Sequence, residues 1–391
     1  MKKYASARDR EIAHYLQERA GDRSLDLLFL SHIHFDHISG VQMLLDTSSG
    51  VQVETIVLPL LDVQDRLISY ARAVAEEPAV AGDEFYQTLV INPSDALSRF
   101  NPRRMIFVRR ADDWGAPGSR GPGEPFEDGP DVRDLRADRW KLIGRGRLER
   151  SPQNLRKSDG DDPAQVMALI DDTLAFAVVS DSGAEWILAP FVDPTVVEKR
   201  DLFMKTLADA RSVSVTDLEL WLSTTSNVKT LIETGLGELR AAYRAIQPDF
   251  NVTSLCLYSG PLSNQPTRKR YHHTHFGRWT SSGESTRIAW LGTGDAALLP
   301  QYRSRALLNH FGLLLDEVGT LALPHHGSDH NHNPNLLETI DPHFFIASAD
   351  KYSNWRHPGT GVVQTVASMG RFLSVVTSDE RSRVTEVAVL E

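Results

Sequence analysis

Ser31-His32-Ile33-His34-Phe35-Asp36-His37-Ile38-Ser39-Gly40 decides how this chain is read. Before it stands Leu25-Asp26-Leu27-Leu28-Phe29-Leu30, a mostly apolar run of the length of a buried strand. The chain therefore leaves a core and at once presents three imidazoles and a carboxylate. Those groups bind Zn²⁺ and related ions when water must bind as well. On an extended segment His32 and His34 point to the same side. Asp36 and His37 follow where the backbone can turn, so they can face a second ion. Gly40 suits a helix start packed close against the strand. A lone histidine beside an apolar run is ordinarily a core or surface residue. Four such groups in H-x-H-x-D-H order are not, because buried polar groups without a partner cost free energy that a ligand must offset.

The chain has 391 residues, 41% hydrophobic, with a formal net charge of −10. That is ample for one elaborated domain or two. No apolar run reaches the ~20 residues of a membrane span, and no apolar signal core follows the N-terminus. The single Cys256 excludes an internal disulfide and fits a reducing cytosol, so a cytoplasmic location is expected. Cys256 lies in an apolar strand-like run and reads as core. The acidic balance argues against a broad nucleic-acid-coating surface but leaves room for a local basic groove.

Working outward, residues 5–20 read as a helix, 25–30 as the strand into the metal loop, and 41–45 as a helix carrying Asp36 and His37 near its start. Residues 53–61 read as a buried strand and 63–76 as a helix. Residues 99–165 interleave Arg103, Arg104, Arg109, Arg110, Arg145, Arg147 and Arg150 with Gly, Pro and Asp, and 115–129 has the composition of a loop. An arginine-bearing arm for phosphates is one reading. A solvated insertion is favoured, because Asp112, Asp113, Glu127, Asp128, Asp131 and Asp134 nearly balance the charge. Residues 173–179 and 185–192 read as a hairpin around Ser180-Asp181-Ser182-Gly183. Residues 194–211 and 229–246 read as helices.

Further strands are expected at 251–258, 286–291, 320–323, 344–348, 372–377 and 383–390. Three of them run into chemistry. Gly292-Thr293-Gly294-Asp295-Ala296 puts a carboxylate where it can bridge metals. Pro324-His325-His326-Gly327-Ser328 puts two imidazoles at a strand end, with His330 and His332 on the loop beyond. His357-Pro358 follows the strand ending at Ser348. Arg268-Lys269-Arg270-Tyr271-His272-His273-Thr274-His275 is either an extra metal or phosphate contact or a surface loop.

These blocks, in this order, resemble the metallo-β-lactamase fold superfamily and, within it, the hydrolase domain of ComEC-type competence (DNA-uptake) proteins. The resemblance covers roughly residues 22–62 and 251–390. It implies an α/β fold, a four-layer αββα sandwich with the site at the strand ends between the two sheets. It divides the chain into a first part (1–62), an enlarged insertion (63–250) and a second part (251–391). It implies metal ligands His32, His34, Asp36, His37, Asp295 and one of His325 and His326, holding one or two ions of Zn²⁺ or Mn²⁺. Asp36, Asp295 and His357 would act in catalysis, and Ser328 and His357 would touch substrate. Asp26 and Ser31 stand close enough in sequence to support the ligands, and core-edge roles fit them equally well.

The pattern departs from the family at two points. Only 31 residues precede His32, so the usual first strands are absent, or the true start lies upstream, or a protein partner covers the sheet edge. In the family the first two histidines of the motif, here His32 and His34, hold metal one; no histidine occurs from 38 through 271, which leaves that ion short of its third imidazole and predicts one tight and one weak metal unless the 272–275 insert completes it. Three functions follow as expectations. The first is a phosphodiesterase or nuclease acting on a nucleic acid or small phosphodiester. The second is a small ester or lactone hydrolase. The third is a weakly active subunit of a multi-protein bacterial system. No membrane partner is expected.

Overall fold

The computed structural model describes residues 2–19, 23–111, 139–150, 165–179, 185–246, 253–261, 269–275, 278–280, 287–350 and 356–390. The chain divides into two compact units, each discontinuous in sequence. One comprises Met1–Val108, Glu149–Leu169 and Pro194–Thr253, the other Arg109–Leu148, Ile170–Asp193 and Ser254–Glu391. Among the described residues no helix is long and apolar enough to cross a membrane.

The first unit is built on a five-stranded sheet. Its strands are β1 (Ser24–Phe29), β2 (Gln52–Pro59), β3 (Arg104–Arg109), β5 (Leu148–Arg150) and β6 (Val166–Asp171), in the order β1-β2-β3-β6-β5. β1, β2 and β3 are parallel. β2 buries Ile56, Val57 and Leu58 in succession, the continuous apolar run of a strand covered on both faces. The helix α4 (Val63–Glu76) buries Leu67, Ile68, Ala71 and Val74 at three- and four-residue spacing. Around them stand α1 (Lys2–Glu18), α5 (Glu84–Ile91), α6 (Pro93–Ser98), α7 (Val197–Ala210), α8 (Val215–Leu222), α9 (Thr225–Thr234) and α10 (Leu236–Ala245). Asp83 and Ser214 cap α5 and α8 by accepting backbone N–H bonds from Tyr86 and Asp217.

Three local expectations change here. Asp36 and His37 belong to their own one-turn helix, α2 (Phe35–Ile38), and α3 (Val41–Leu45) follows it. Gly40 caps α3, and a Cβ there would lie 3.1 Å from Ile12 Cδ1, so it admits α1 rather than the strand. The helix expected over 229–246 breaks at Gly235, the residue with the least to lose by leaving a helix.

The arginine-rich reading is corrected at Arg104. That side chain is 1% exposed in β3, with Nη1 2.6 Å from Glu54 Oε1 on β2. Arg103-Arg104 masks the apolar run Met105-Ile106-Phe107-Val108, which is wholly buried. The acidic residues expected to balance the arginines, the 115–129 loop and the 180–183 turn lie outside the described residues.

The second unit holds an eight-stranded sheet. Its strands are β4 (Trp140–Ile143), β7 (Ala175–Val179), β8 (Glu185–Asp193), β9 (Ser254–Pro261), β12 (Ala289–Gly292), β13 (Val318–Ala322), β14 (Phe344–Ser348) and β15 (Phe372–Val376). The order is β15-β14-β13-β12-β9-β8-β7-β4. β12 through β15 are parallel, while β4, β7, β8, β9 and β12 pair antiparallel. Helices α11 (Gln301–Phe311), α12 (Pro334–Ile340) and α13 (Thr360–Ser368) connect the parallel strands. Tyr258, Leu291, Leu307, Leu321, Phe345 and Val362 share its core with Cys256, which is fully buried as expected. The basic stretch read as a loop or ligand arm is instead β10 (Lys269–His275), the middle of a three-stranded sheet with β11 (Arg278–Thr280) and β16 (Val384–Leu390). Tyr and Thr within it favour a strand. The side chains of His272, His273 and His275 lie outside what is described.

Two buried carboxyl groups give this fold a pH dependence. Asp172 accepts the backbone N–H of Ala111 and Val192 at 2.9 and 3.2 Å, and burial pushes its pKa up to about 7 against those bonds and the nearby Arg110. Asp65, beside Thr195 and Thr253, is pushed by burial to about 6. A carboxyl whose folded pKa exceeds its unfolded value binds an extra proton when folded. Stability should therefore rise as pH falls through 7 and then 6, with the gain complete near the unfolded value of ~4. Urea unfolding at pH 8 and pH 5 is expected to differ by a few kcal/mol on the order of these shifts, and Asp172→Asn should flatten the slope.

Candidate metal centre

In the first unit, β1 ends at Phe29 and the chain runs extended into α2. The His34 carbonyl accepts the N–H groups of His37 and Ile38 at 3.0 and 3.2 Å, which starts that turn. Ile33 and Ile38 are buried and anchor the loop on either side. The His32 and His34 rings stand 4.5 Å apart, nearly perpendicular, and the His32 and His37 rings 4.0 Å apart. His32 and His37 each offer a ring nitrogen within 4.8 Å of the other, as do Asp36 and His37 with a carboxylate oxygen and a ring nitrogen. Within this unit His37 thus lies within ligand distance of His32 and, separately, of Asp36.

Ser31 sets the direction of two of these rings. Its Oγ lies 3.0 Å from His32 Nδ1 and 3.4 Å from His37 Nδ1. A hydroxyl oxygen has two lone pairs and can accept from both Nδ1–H groups. In that tautomer both Nε2 lone pairs would be left for a cation, the usual division of labour around a ligating histidine. Of the two roles open to Ser31, support of the ligands and a place at the core edge, these contacts accord with the first.

In the second unit, three loops follow the C-terminal ends of the parallel strands β12, β13 and β14, so they share one sheet edge. Asp295 follows β12 and is 1% exposed. Its own N–H donates to Ser254 Oγ at 3.0 Å, the Thr293 hydroxyl donates to the Ala322 carbonyl at 2.6 Å, and Ala297 N–H donates to Asp193 Oδ2 at 2.7 Å. The same Asp193 oxygen pairs with Arg303 at 2.7 Å. His325 N–H donates to the Gly294 carbonyl, which ties the second loop to the first.

The His325-His326 turn adopts positive φ at both residues, 47° and 58°. Each such residue costs about 1–2 kcal/mol, so the turn survives only because its surroundings hold it. Gly327 follows at φ 82° with Pro358 against it, and its carbonyl accepts Gly359 N–H at 2.8 Å. Asp329 accepts the Val362 N–H at 3.0 Å at the start of α13. These contacts bring His357 near the pair, with ring centroids 5.6 Å from His325 and 6.4 Å from His326. Ser328 is buried, and its hydroxyl accepts the His330 N–H at 3.2 Å. His330 is exposed and His332 buried on the same loop.

Two residues that the sequence reading did not single out shape these donors. Asn331 donates from Nδ2 to the Ala296 carbonyl, so its Oδ1 faces His325 Nδ1 at 3.1 Å. An amide oxygen can only accept, which puts the proton on His325 Nδ1 and the lone pair on Nε2. Asn331→Ala should weaken divalent-metal binding roughly 10–100-fold, the usual effect of losing a partner that orients a ligand. Titration calorimetry against the wild type checks this, and unchanged affinity would show that Asn331 does not set His325. Arg72 of α4 is the other. Its Nη1 lies 3.2 Å from His34 Nδ1 and its Nε 2.9 Å from Glu76 Oε1. The Arg72–Glu76 spacing is visible in the sequence, but its approach to His34 is a product of packing.

A family model of the metallo-β-lactamase superfamily matches residues 4–59, the segment from α1 to β2 that contains His32, His34, Asp36 and His37. No curated protein matches the chain. The match suggests a metal-dependent hydrolase, and the mixed α/β architecture with two large sheets agrees with the α/β sandwich expected of that superfamily. The donor chemistry fits a divalent ion, since imidazoles and a carboxylate with oriented Nδ1 partners are the groups such ions select.

Proposed function

We propose that the chain is a metal-dependent hydrolase of phosphodiester bonds, a nuclease or small-molecule phosphodiesterase related in chemistry to the ComEC-type domains. The metal-hydrolase part of this reading rests on the His32–His37 pair, with both Nδ1 atoms near one serine hydroxyl and Asp36 alongside, and the phosphodiester part on the resemblance of the Pro324-His325-His326-Gly327-Ser328 block. By the family resemblance Asp295, His325 and His326 would be the further ligands, and Zn²⁺ or Mn²⁺ the ion. A divalent ion bound there would polarise the scissile bond and acidify a water. Asp36 or Asp295 would orient that water. Ser31 and Asn331 hold ligand rings in their competent tautomers. His357 donates a proton to the leaving oxygen. A mixed carboxylate and imidazole set shifts preference from Zn²⁺ toward Mn²⁺.

One observation favours hydrolysis of a small ester or lactone instead. In the first unit a cavity of about 600 Å³ borders Asp36, with Tyr4, Phe35, Met43, Val80 and Glu77 in its walls. Its size suits a small molecule, and Asp9, Asp36, Glu77 and Asp83 against Arg8 would repel a polyanion. Turnover of bis-p-nitrophenyl phosphate and single-stranded DNA against p-nitrophenyl acetate and a simple lactone, each with Mn²⁺ and Zn²⁺, separates the two. Metal-dependent cleavage of esters or lactones alone would overturn the phosphodiester reading.

A further inference from the structure

We infer that the guanidinium of Arg72 takes the place of a metal ion beside His34, so that His34 is a fixed Nε2–H donor and the centre holds a single divalent ion. The inference rests on the metal-hydrolase reading and sharpens it. A guanidinium donates hydrogen bonds and cannot accept them. At 3.2 Å, His34 Nδ1 must therefore be the acceptor. A neutral imidazole that accepts at Nδ1 carries its proton on Nε2. Neither nitrogen then offers a lone pair to a metal. His34 is thereby the opposite of His325, whose Nδ1 faces an oxygen that can only accept.

The arrangement is held in place. His34 is 3% exposed and the Arg72 side chain 11%. Glu76, one turn along α4, fixes the other edge of the guanidinium at 2.9 Å. α4 itself is anchored by its buried face, so Arg72 does not swing away without cost. A dication seated at His34 would meet this fixed positive charge at close range, where the repulsion is large. His32, Asp36 and His37 make up the metal-binding part of the loop in this reading. His34 Nε2–H is thus a donor suited to an anionic oxygen of the substrate, with the Arg72–Glu76 pair behind it.

The test uses the full chain labelled with ¹⁵N-histidine and loaded with Zn²⁺ alone. Proton–nitrogen couplings, assigned with His34→Gln, should show His34 in the Nε2–H tautomer with and without metal. Elemental analysis after dialysis should give one equivalent per chain in both wild type and His34→Gln. In Arg72→Met, checked for folding by circular dichroism, the Nε2–H preference should be lost. Two equivalents in the wild type falling to one in His34→Gln would overturn the inference alone, as would loss of the Nε2–H signal on adding zinc or its persistence in Arg72→Met. A folded chain that binds no zinc would overturn the metal reading and this inference with it.

Discussion

His37→Ala is expected to abolish metal-dependent hydrolysis while leaving the fold intact, and Asp36→Ala to do the same. Each removes a donor from a set in which His37 stands within ligand distance of both His32 and Asp36. A bound ion supplies several kcal/mol of transition-state stabilisation, and each 1.36 kcal/mol is tenfold, so turnover should fall roughly 10³-fold or more. The fold should survive because both side chains are partly exposed, 36% for Asp36 and 24% for His37, on a one-turn helix whose anchors are Ile33 and Ile38. Zinc binding by calorimetry, turnover and the urea midpoint of the metal-free protein give the three readouts. Unchanged turnover by either variant would contradict the assignment.

Arg303→Met is expected to have the largest effect on stability. Arg303 and Asp193 are 4% and 2% exposed at their side chains and 2.7 Å apart. Removing one partner of a buried ion pair leaves the other charge uncompensated, which costs roughly 3–5 kcal/mol. Urea unfolding should show a loss of that size. Replacing both partners by apolar residues of similar volume is often neutral, so Arg303→Met/Asp193→Leu should regain most of the loss. Turnover should stay impaired in the double variant, because Ala297 N–H loses its acceptor two residues from Asp295. Full recovery of turnover would show that the Asp295 loop does not depend on this anchor.

The parts of the fold legible in the sequence were those governed by local pattern. The buried strands ending at Phe29, Gly292, Ala322 and Ser348 are apolar runs followed at once by polar, turn-forming residues, and each was placed to within a few residues. The helix at 63–76 was placed to the residue, because its apolar spacing is regular. β3 and β10 were missed for one reason. Charged residues at their starts, Arg103-Arg104 and Lys269-Arg270, mask strands whose pairing is decided by distant partners, β2 and β16. The helix break at Gly235 was within reach, since glycine is a poor interior helix residue.

At the site, residue types and spacing gave the candidate ligands, but not which nitrogen each ring offers. That depends on Ser31, Asn331 and Arg72. Ser31 is adjacent in sequence to His32, which leaves a supporting role and a core-edge role equally open to it. Asn331 lies six residues beyond His325, across a turn with two left-handed histidines that no local pattern announces. Arg72 lies 38 positions from His34 and meets it only through the packing of α4.

The central claim is that this chain hydrolyses its substrate through a divalent ion held by the His32–His37 loop. Its most direct measurement is hydrolysis of bis-p-nitrophenyl phosphate by the purified chain before and after chelation, with metal content determined on the same samples. Chelation is expected to remove both metal and activity, Mn²⁺ or Zn²⁺ to restore both in the wild type, and neither to return in His37→Ala. Activity that persists in the metal-free protein, or that the metal restores equally in His37→Ala, would contradict it.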